Sequence, residues 1–185
     1  MKKTYLFFTQ TLMIFSLFFA VSCNKTDNEE KSGKKLEVGQ SYQGGIIAYI
    51  DESGEHGLIA ASEDQGVAKW CKKPFSFIDS LGTDIGTGKN NTKRIVQKQD
   101  TGHYAAKLCY DLVRNGFNDW YLPSKVELQV LYKNRNAIGG FDFSKFYWSS
   151  SEYSNDDAWY QNFNNGSQNG NYKDRIYCIR AVRTF

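Results

Sequence analysis

Two short amphipathic segments with helix end signals, set between β-prone runs, restrict this chain more than any other feature of it. The first carries Ala105, Leu108, Cys109, Leu112 and Val113, a spacing of three and four that puts all five on one helical face. It stops at Asn115-Gly116, residues that tolerate the left-handed conformation of a helix cap. The second opens on Leu122-Pro123-Ser124-Lys125-Val126-Glu127. Proline disfavours earlier helix, and Ser124 with Glu127 makes a capping box, so a helix is predicted from Ser124 to about Asn134. Upstream, Gly44 to Ile50 and His56 to Ser62 are apolar runs joined by the polar Asp51-Glu52-Ser53-Gly54-Glu55, the pattern of a β-hairpin. Downstream, Tyr147 to Ser151, Ala158 to Phe163 and Arg175 to Arg183 read as short strands, with Asn164 to Asn171 as a turn rich in residues that accept positive φ. Gly66 to Asp100 lacks periodicity and reads as a long ordered loop. The order predicts an α+β domain: two helices packed on short, mostly antiparallel β-sheets with long ordered loops, both domain ends lying in one sheet.

The N-terminal residues stand apart from that unit. Lys2 and Lys3 precede an apolar run from Tyr5 to Ala20, broken only by Thr9, Gln10, Thr11 and Ser16, which is the layout of a secretory signal. A membrane anchor is the alternative, but about 16 residues with four polar ones fall short of the roughly 20 that a spanning helix needs. Ala20-Val21-Ser22-Cys23 resembles the lipobox of bacterial lipoproteins, which implies cleavage before Cys23 and a diacylglycerol thioether on it. Asn24 to Lys35 has no apolar residue, buries too little to offset its ordering entropy, and reads as a solvated tether. The expected division is a leader over 1–22, a tether over 23–35 and one domain over 36–185, a length that suits a single core. Asp27, Glu29 and Glu30, just behind Cys23, resemble the export tag of Bacteroidetes-type lipoproteins on the outer face of the outer membrane; an ordinary charged linker has the same pattern. The expected location is the outer membrane, facing the cell exterior, with membrane contact through the lipid alone.

Charge and cysteine usage narrow the function classes. A net charge of +3, dispersed along the chain, does not argue for nucleic acid. With Cys23 lipidated, Cys71, Cys109 and Cys178 remain in an oxidising compartment, so one disulfide and one leftover thiol are expected, and composition does not say which two pair. Gly82-Thr83-Asp84-Ile85-Gly86-Thr87-Gly88-Lys89-Asn90 invites comparison with a phosphate-binding loop. That loop needs Gly where Thr83 stands and Ser or Thr where Asn90 stands. His56 and His103 have no metal-ligand spacing to a cysteine or carboxylate pair, and no G-x-S-x-G nucleophile turn occurs. Asp156 and Asp157 are adjacent carboxylates that could hold a cation, but solvated loop acids have the same appearance. Neither metal nor cofactor is expected, and an enzyme is not expected.

The motifs Gly44-Gly45-Ile46-Ile47-Ala48-Tyr49, Ile85-Gly86-Thr87-Gly88-Lys89-Asn90-Asn91-Thr92, Asn118-Asp119-Trp120-Tyr121-Leu122-Pro123-Ser124, Glu127-Leu128, Tyr147-Trp148-Ser149-Ser150-Ser151 and Ile179-Arg180-Ala181-Val182-Arg183 occur in this order across the domain. The set resembles a bacterial branch of the C-type-lectin-like fold, the domain of unknown function at the C-terminus of Lcl-type, collagen-like adhesins, which also occurs in Bacteroidetes lipoproteins. The resemblance implies a C-type-lectin-like fold and a disulfide from the first helix to the last strand, here Cys109 to Cys178, leaving Cys71 idle. Closing about 70 residues in this way would stabilise by roughly 4 kcal/mol. The formylglycine-generating enzyme shares the broader fold but relies on paired cysteines near its C-terminus, where this chain has only Cys178. Calcium-dependent animal lectins use Glu-Pro-Asn or Gln-Pro-Asp, and the prolines here, Pro74 and Pro123, stand in neither.

Trp120 and Trp148 are read as core residues. Tyr153, Trp159, Tyr160, Asn162, Asn164, Asn169 and Tyr172 crowd into one stretch that mixes rigid aromatics with adaptable amides, the composition of a recognition surface. Turn chemistry with strand-core aromatics gives the same composition. The expected function is a surface lipoprotein whose adhesin-like domain binds an extracellular glycan, polyanion or protein; a structural or assembly subunit of a surface complex is the alternative.

Overall fold

The computed structural model describes residues 35–79 and 81–185. The expected leader, the lipidation site Cys23 and the tether up to residue 34 lie outside the described residues. The expected hairpin is present as β2 (Gly45–Ile50) and β3 (Gly57–Ala60), antiparallel, with a register shift between Ile47 and Tyr49. β1 (Ser41–Tyr42) pairs with β2, and β9 (Val182–Thr184) pairs with β3, so a four-stranded sheet β1-β2-β3-β9 holds both ends of the domain. A second sheet has the order β4-β8-β5-β6-β7, from β4 (Val67–Ala68), β5 (Phe146–Glu152), β6 (Asp157–Asn162), β7 (Gln168–Tyr172) and β8 (Tyr177–Cys178). Its β5–β8 pair is parallel and its other pairs are antiparallel.

The run expected as one strand from Arg175 to Arg183 is therefore split, with β8 in one sheet and β9 in the other. The crossing is held by Arg180, fully buried, which donates from Nε to Asp64 at 2.7 Å and from Nη1 to the Ala61 carbonyl at 3.0 Å. The Asn-rich segment expected as a turn contributes strand β7, and only the residues before it turn.

Among the described residues four helices form where two were expected. α1 (Gly88–Gln99) lies inside the supposed loop, followed by α2 (Ala105–Tyr110), α3 (Lys125–Lys133) and α4 (Arg135–Ile138). The buried face of α1 is Gly88, Asn91, Thr92, Ile95 and Gln99, a helical spacing in mostly polar residues. Hydrogen bonds stand in for apolar contact: Asn91 bonds both backbone groups of Gly82, and Thr92 Oγ1 takes the Leu122 N–H at 2.9 Å. α2 is shorter than its apolar spacing predicts: it ends at Tyr110, and Val113 beyond it is 72% exposed. Asn115 (φ 50°) and Gly116 (φ 82°) do not cap it; they are the middle of a tight turn in which Arg114 and Phe117 exchange two backbone hydrogen bonds at 2.9 Å. α3 begins as expected, with Ser124 Oγ taking the Glu127 N–H and the Glu127 carboxylate taking the Ser124 N–H at 2.7 Å.

Two apolar clusters form the core, one around Trp70, Trp120, Trp148 and Ile95, the other around Tyr147, Phe163, Leu128 and Val182. The expected Cys109–Cys178 disulfide is not made. Cys71, Cys109 and Cys178 are free and buried, and Cys109 sits in the first cluster while Cys178 sits in the second beside Tyr147. Burial pushes the thiols of Cys71 and Cys178 up to about 11, and raises that of Cys109 as well, which keeps all three protonated. Among the described residues no helix is long and apolar enough to cross a membrane.

Candidate functional site

Strand alternation divides the aromatic and amide residues of the C-terminal stretch between two faces of the second sheet. On one face Trp159 lies edge-on to Tyr153 with centroids 4.7 Å apart, and Lys125 Nζ sits 3.5 Å above the Trp159 ring. Gly170, the cross-strand partner of Trp159, leaves room for Tyr153; a Cβ there would come within 2.5 Å of the Tyr153 ring. Tyr172, two residues further along β7, shares this face. Tyr160 points the other way, 5.4 Å from Phe146 and 5.2 Å from Tyr177, over the buried Trp148. Asn162 and Asn169 are on that second face with it, and Asn164 is exposed in the turn between β6 and β7. Of the seven residues singled out by composition, Tyr153 and Trp159 are brought together, Tyr172 shares their face without stacking on them, Tyr160, Asn162 and Asn169 lie across the sheet, and Asn164 is at the hairpin end.

Several of the asparagines serve the backbone. Asn169 and Asn171 take the N–H groups of Gly170 and Tyr172 on the edge strand β7, both at 2.8 Å, and Asn162 takes that of Asn164 at 2.9 Å. The aromatics are better placed to meet a ligand: Tyr153 and Tyr172 are each about half exposed. Tyr172 opens onto a groove of about 440 Å³ lined by Lys73, Phe75, Asp156, Tyr172, Asp174 and Arg175. Lys73 Nζ lies 3.4 Å from Asp174 and 5.4 Å from the Phe75 ring. Two cations and two carboxylates leave the lining without net charge, beside two aromatic rings. Lys73 and Phe75 had no signal in the sequence; they come from the segment before α1, some hundred positions away, and only the fold sets them beside β7.

A second cleft, of about 470 Å³, lies between α1 and α2 and includes Lys89, Lys93, Tyr110, Asn118, Asp119 and Trp120. Asp119 is held by Arg183 through two hydrogen bonds, at 2.6 and 3.2 Å. Burial would raise its carboxyl, but the Arg183 bonds and charge outweigh that and hold it below the ordinary range.

The glycine segment compared above with a phosphate loop does bind an anion, and the anion is internal. Glu127 Oε1 takes the Gly86 N–H at 2.8 Å, and a Cβ on Gly88 would lie 2.2 Å from Glu127 Oε2, so only glycine admits the carboxylate against the start of α1. His56 and His103 are both exposed, and no cluster of three metal-ligating side chains occurs among the described residues.

Comparison with known proteins bears on the fold and the family. No curated protein matches the chain. A solved structure of a fimbrial protein from Bacteroides ovatus superposes with a TM-score of 0.59 at 15% identity, over 80% of this chain and 48% of that one, a likeness of fold. This chain spans about half the length of that protein. The family model described as the Lcl C-terminal domain matches residues 69–183, more than half of the chain, from the end of β4 into β9. The chain belongs to the Lcl C-terminal domain family.

Proposed function

We propose that this chain is a cell-surface, adhesin-like lipoprotein, anchored through Cys23 in the outer membrane, that binds a neutral glycan in the groove beside β7. One observation carries the reading: Phe75 and Tyr172 stand in a single groove with Asp156, Asp174, Lys73 and Arg175. Aromatic rings cover the apolar C–H face of a pyranose, while carboxylates and a guanidinium hydrogen-bond its hydroxyls. The balanced charge of the lining gathers no positive potential, so a polyanion gains little there. Family membership and the fold of a fimbrial protein support surface display. The basic, apolar and small-residue order ahead of Cys23 supports the anchor.

Binding without catalysis is the reading most consistent with the titratable groups. Burial pushes the carboxyls of Glu127, Glu152 and Asp64 above the ordinary range, and each is taken up by the fold: Glu127 by backbone N–H groups, Glu152 by Lys173, Asp64 by Arg180. None of them lines the groove. The fimbrial neighbour favours a second reading, an assembly subunit that uses the same face for a fixed protein partner.

A glycan array probed with the mature chain separates these readings. The expected result is retention of neutral oligosaccharides, nearly insensitive to salt, and its loss in Tyr172→Ala and Asp156→Ala, with stability changed by no more than about 0.5 kcal/mol for such surface positions. Retention of sulfated glycans only, with steep salt dependence, or undiminished binding by both variants, contradicts the groove.

A further inference from the structure

The groove is assembled from three segments distant in sequence, and all three are tied to one buried side chain. Lys173 is fully buried although it stands between the groove residues Tyr172 and Asp174. Its stem and ammonium turn inward, 4.9 Å from the Trp70 ring centroid. An ammonium has three donors and no acceptor. Here Nζ meets three acceptors on the two other segments: Glu152 Oε1 at 2.5 Å and the Asn155 carbonyl at 2.6 Å, both in the β5–β6 hairpin, and the Ser76 carbonyl at 3.4 Å in the segment before α1. Asn155 adjoins Asp156, and Ser76 adjoins Phe75. Glu152 doubles the tie, since its Oε2 takes the Ile78 N–H at 2.8 Å. The Lys173 backbone adds two more bonds, its N–H to the Asp156 carbonyl at 2.8 Å and its carbonyl from the Trp70 N–H at 2.9 Å.

Charge is not needed here for packing. Removing two ions from water is costly, and well-packed apolar residues of similar volume stabilise as well or better. An apolar side chain could fill the space but could not hold oxygens of the β5–β6 hairpin and of the segment before α1 against its own strand at once.

We propose that Lys173, together with Glu152, is the positioning pair of the ligand groove, a three-way anchor that fixes the walls carrying Phe75, Asp156 and Tyr172 relative to one another. The inference rests on the groove reading above. Neither side chain touches the ligand; the pair acts through the walls it holds.

The test uses the mature chain with Lys173→Met and Glu152→Leu combined, which keeps the volume and removes both charges. The expected result is a chain that still folds, with a lowered melting temperature because the Ile78 N–H and the Ser76 and Asn155 carbonyls lose their partners. Amide exchange should accelerate at least about tenfold over 75–78 and 154–157, with the β2–β3 hairpin unchanged and signal on a neutral glycan array falling by a similar factor. If this variant does not fold, Glu152→Gln decides: faster exchange at Ile78 and around Asn155 supports the anchor, and unchanged exchange overturns it. Unchanged exchange in the folded double variant overturns the anchor outright, and so does loosened exchange with full array signal when Tyr172→Ala abolishes that signal. Full signal in Tyr172→Ala as well locates the failure in the groove reading itself.

Discussion

A buried carboxylate with no cation beside it is expensive unless backbone donors surround it, and Glu127 shows how this chain meets that condition. Its side chain is fully buried and accepts from the N–H groups of Gly86 and Ser124, at the starts of two helices. Burial outweighs those bonds and holds the carboxyl above its ordinary range. A carboxyl raised in this way binds its proton more tightly in the folded chain than in the unfolded one. Its contribution to stability is therefore greatest below its unfolded pKa and declines as pH rises through the folded value. Melting curves of Glu127→Gln and the parent between about pH 4 and pH 7 should show a gap that narrows with rising pH, since only the parent loses this contribution. A gap that widens would mean the carboxylate is held in its charged form. Half of this arrangement was legible in advance: Ser124 with Glu127 announces a capping box by spacing alone. The other half was not, because nothing in Gly86-Thr87-Gly88 tells which anion its N–H groups face, and a carboxylate forty residues downstream answers as well as a phosphate.

Helix α1 marks the limit of periodicity as a guide. The hairpin β2–β3, strands β5 and β6, and the start of α3 follow from apolar spacing and turn residues, and they are where the sequence predicts them. Positions 88, 91, 92, 95 and 99 also have helical spacing, but Asn91, Thr92 and Gln99 turn inward as hydrogen-bonding residues, so a hydropathy pattern passes over them. Replacing Asn91 with alanine would leave both backbone groups of Gly82 without their partner. The expected cost is about 2–3 kcal/mol in urea unfolding, since each buried polar group left unpaired costs roughly 1–3 kcal/mol. A cost below about 0.5 kcal/mol would place α1 on the surface in energetic terms. The opposite error occurred at Leu112 and Val113, which have the spacing of a helix but follow its end. The asparagines of β7 misled in a third way: they look like turn residues, yet Asn169 and Asn171 belong to an edge strand and satisfy its N–H groups.

The two-sheet arrangement gives the molecule a division of labour. The described chain begins beside the first sheet, where the ends of the domain are tied together, and the groove is built on the second sheet. Arg180 and Lys173, both fully buried cations, hold the crossing between the sheets and the walls of the groove, respectively. The α+β class was readable from the order of elements and the family from the order of motifs, several of which supply core residues, as Trp120, Leu122, Trp148 and Ile179 do. The site was readable only in part, because Tyr172 alone of its lining declares itself as a ligand contact by composition, while Phe75 and Lys73 reach it only through the fold and Tyr153 and Trp159 lie outside the groove. The central claim is that the ligand meets this groove, and mapping amide shifts of the ¹⁵N-labelled mature chain during titration with an array-selected neutral oligosaccharide tests it most directly. The account predicts that shifts gather at Lys73 and Phe75, at 155–156 and at 172–175. Shifts gathered instead around Lys89, Lys93, Tyr110 and Asn118 would contradict it.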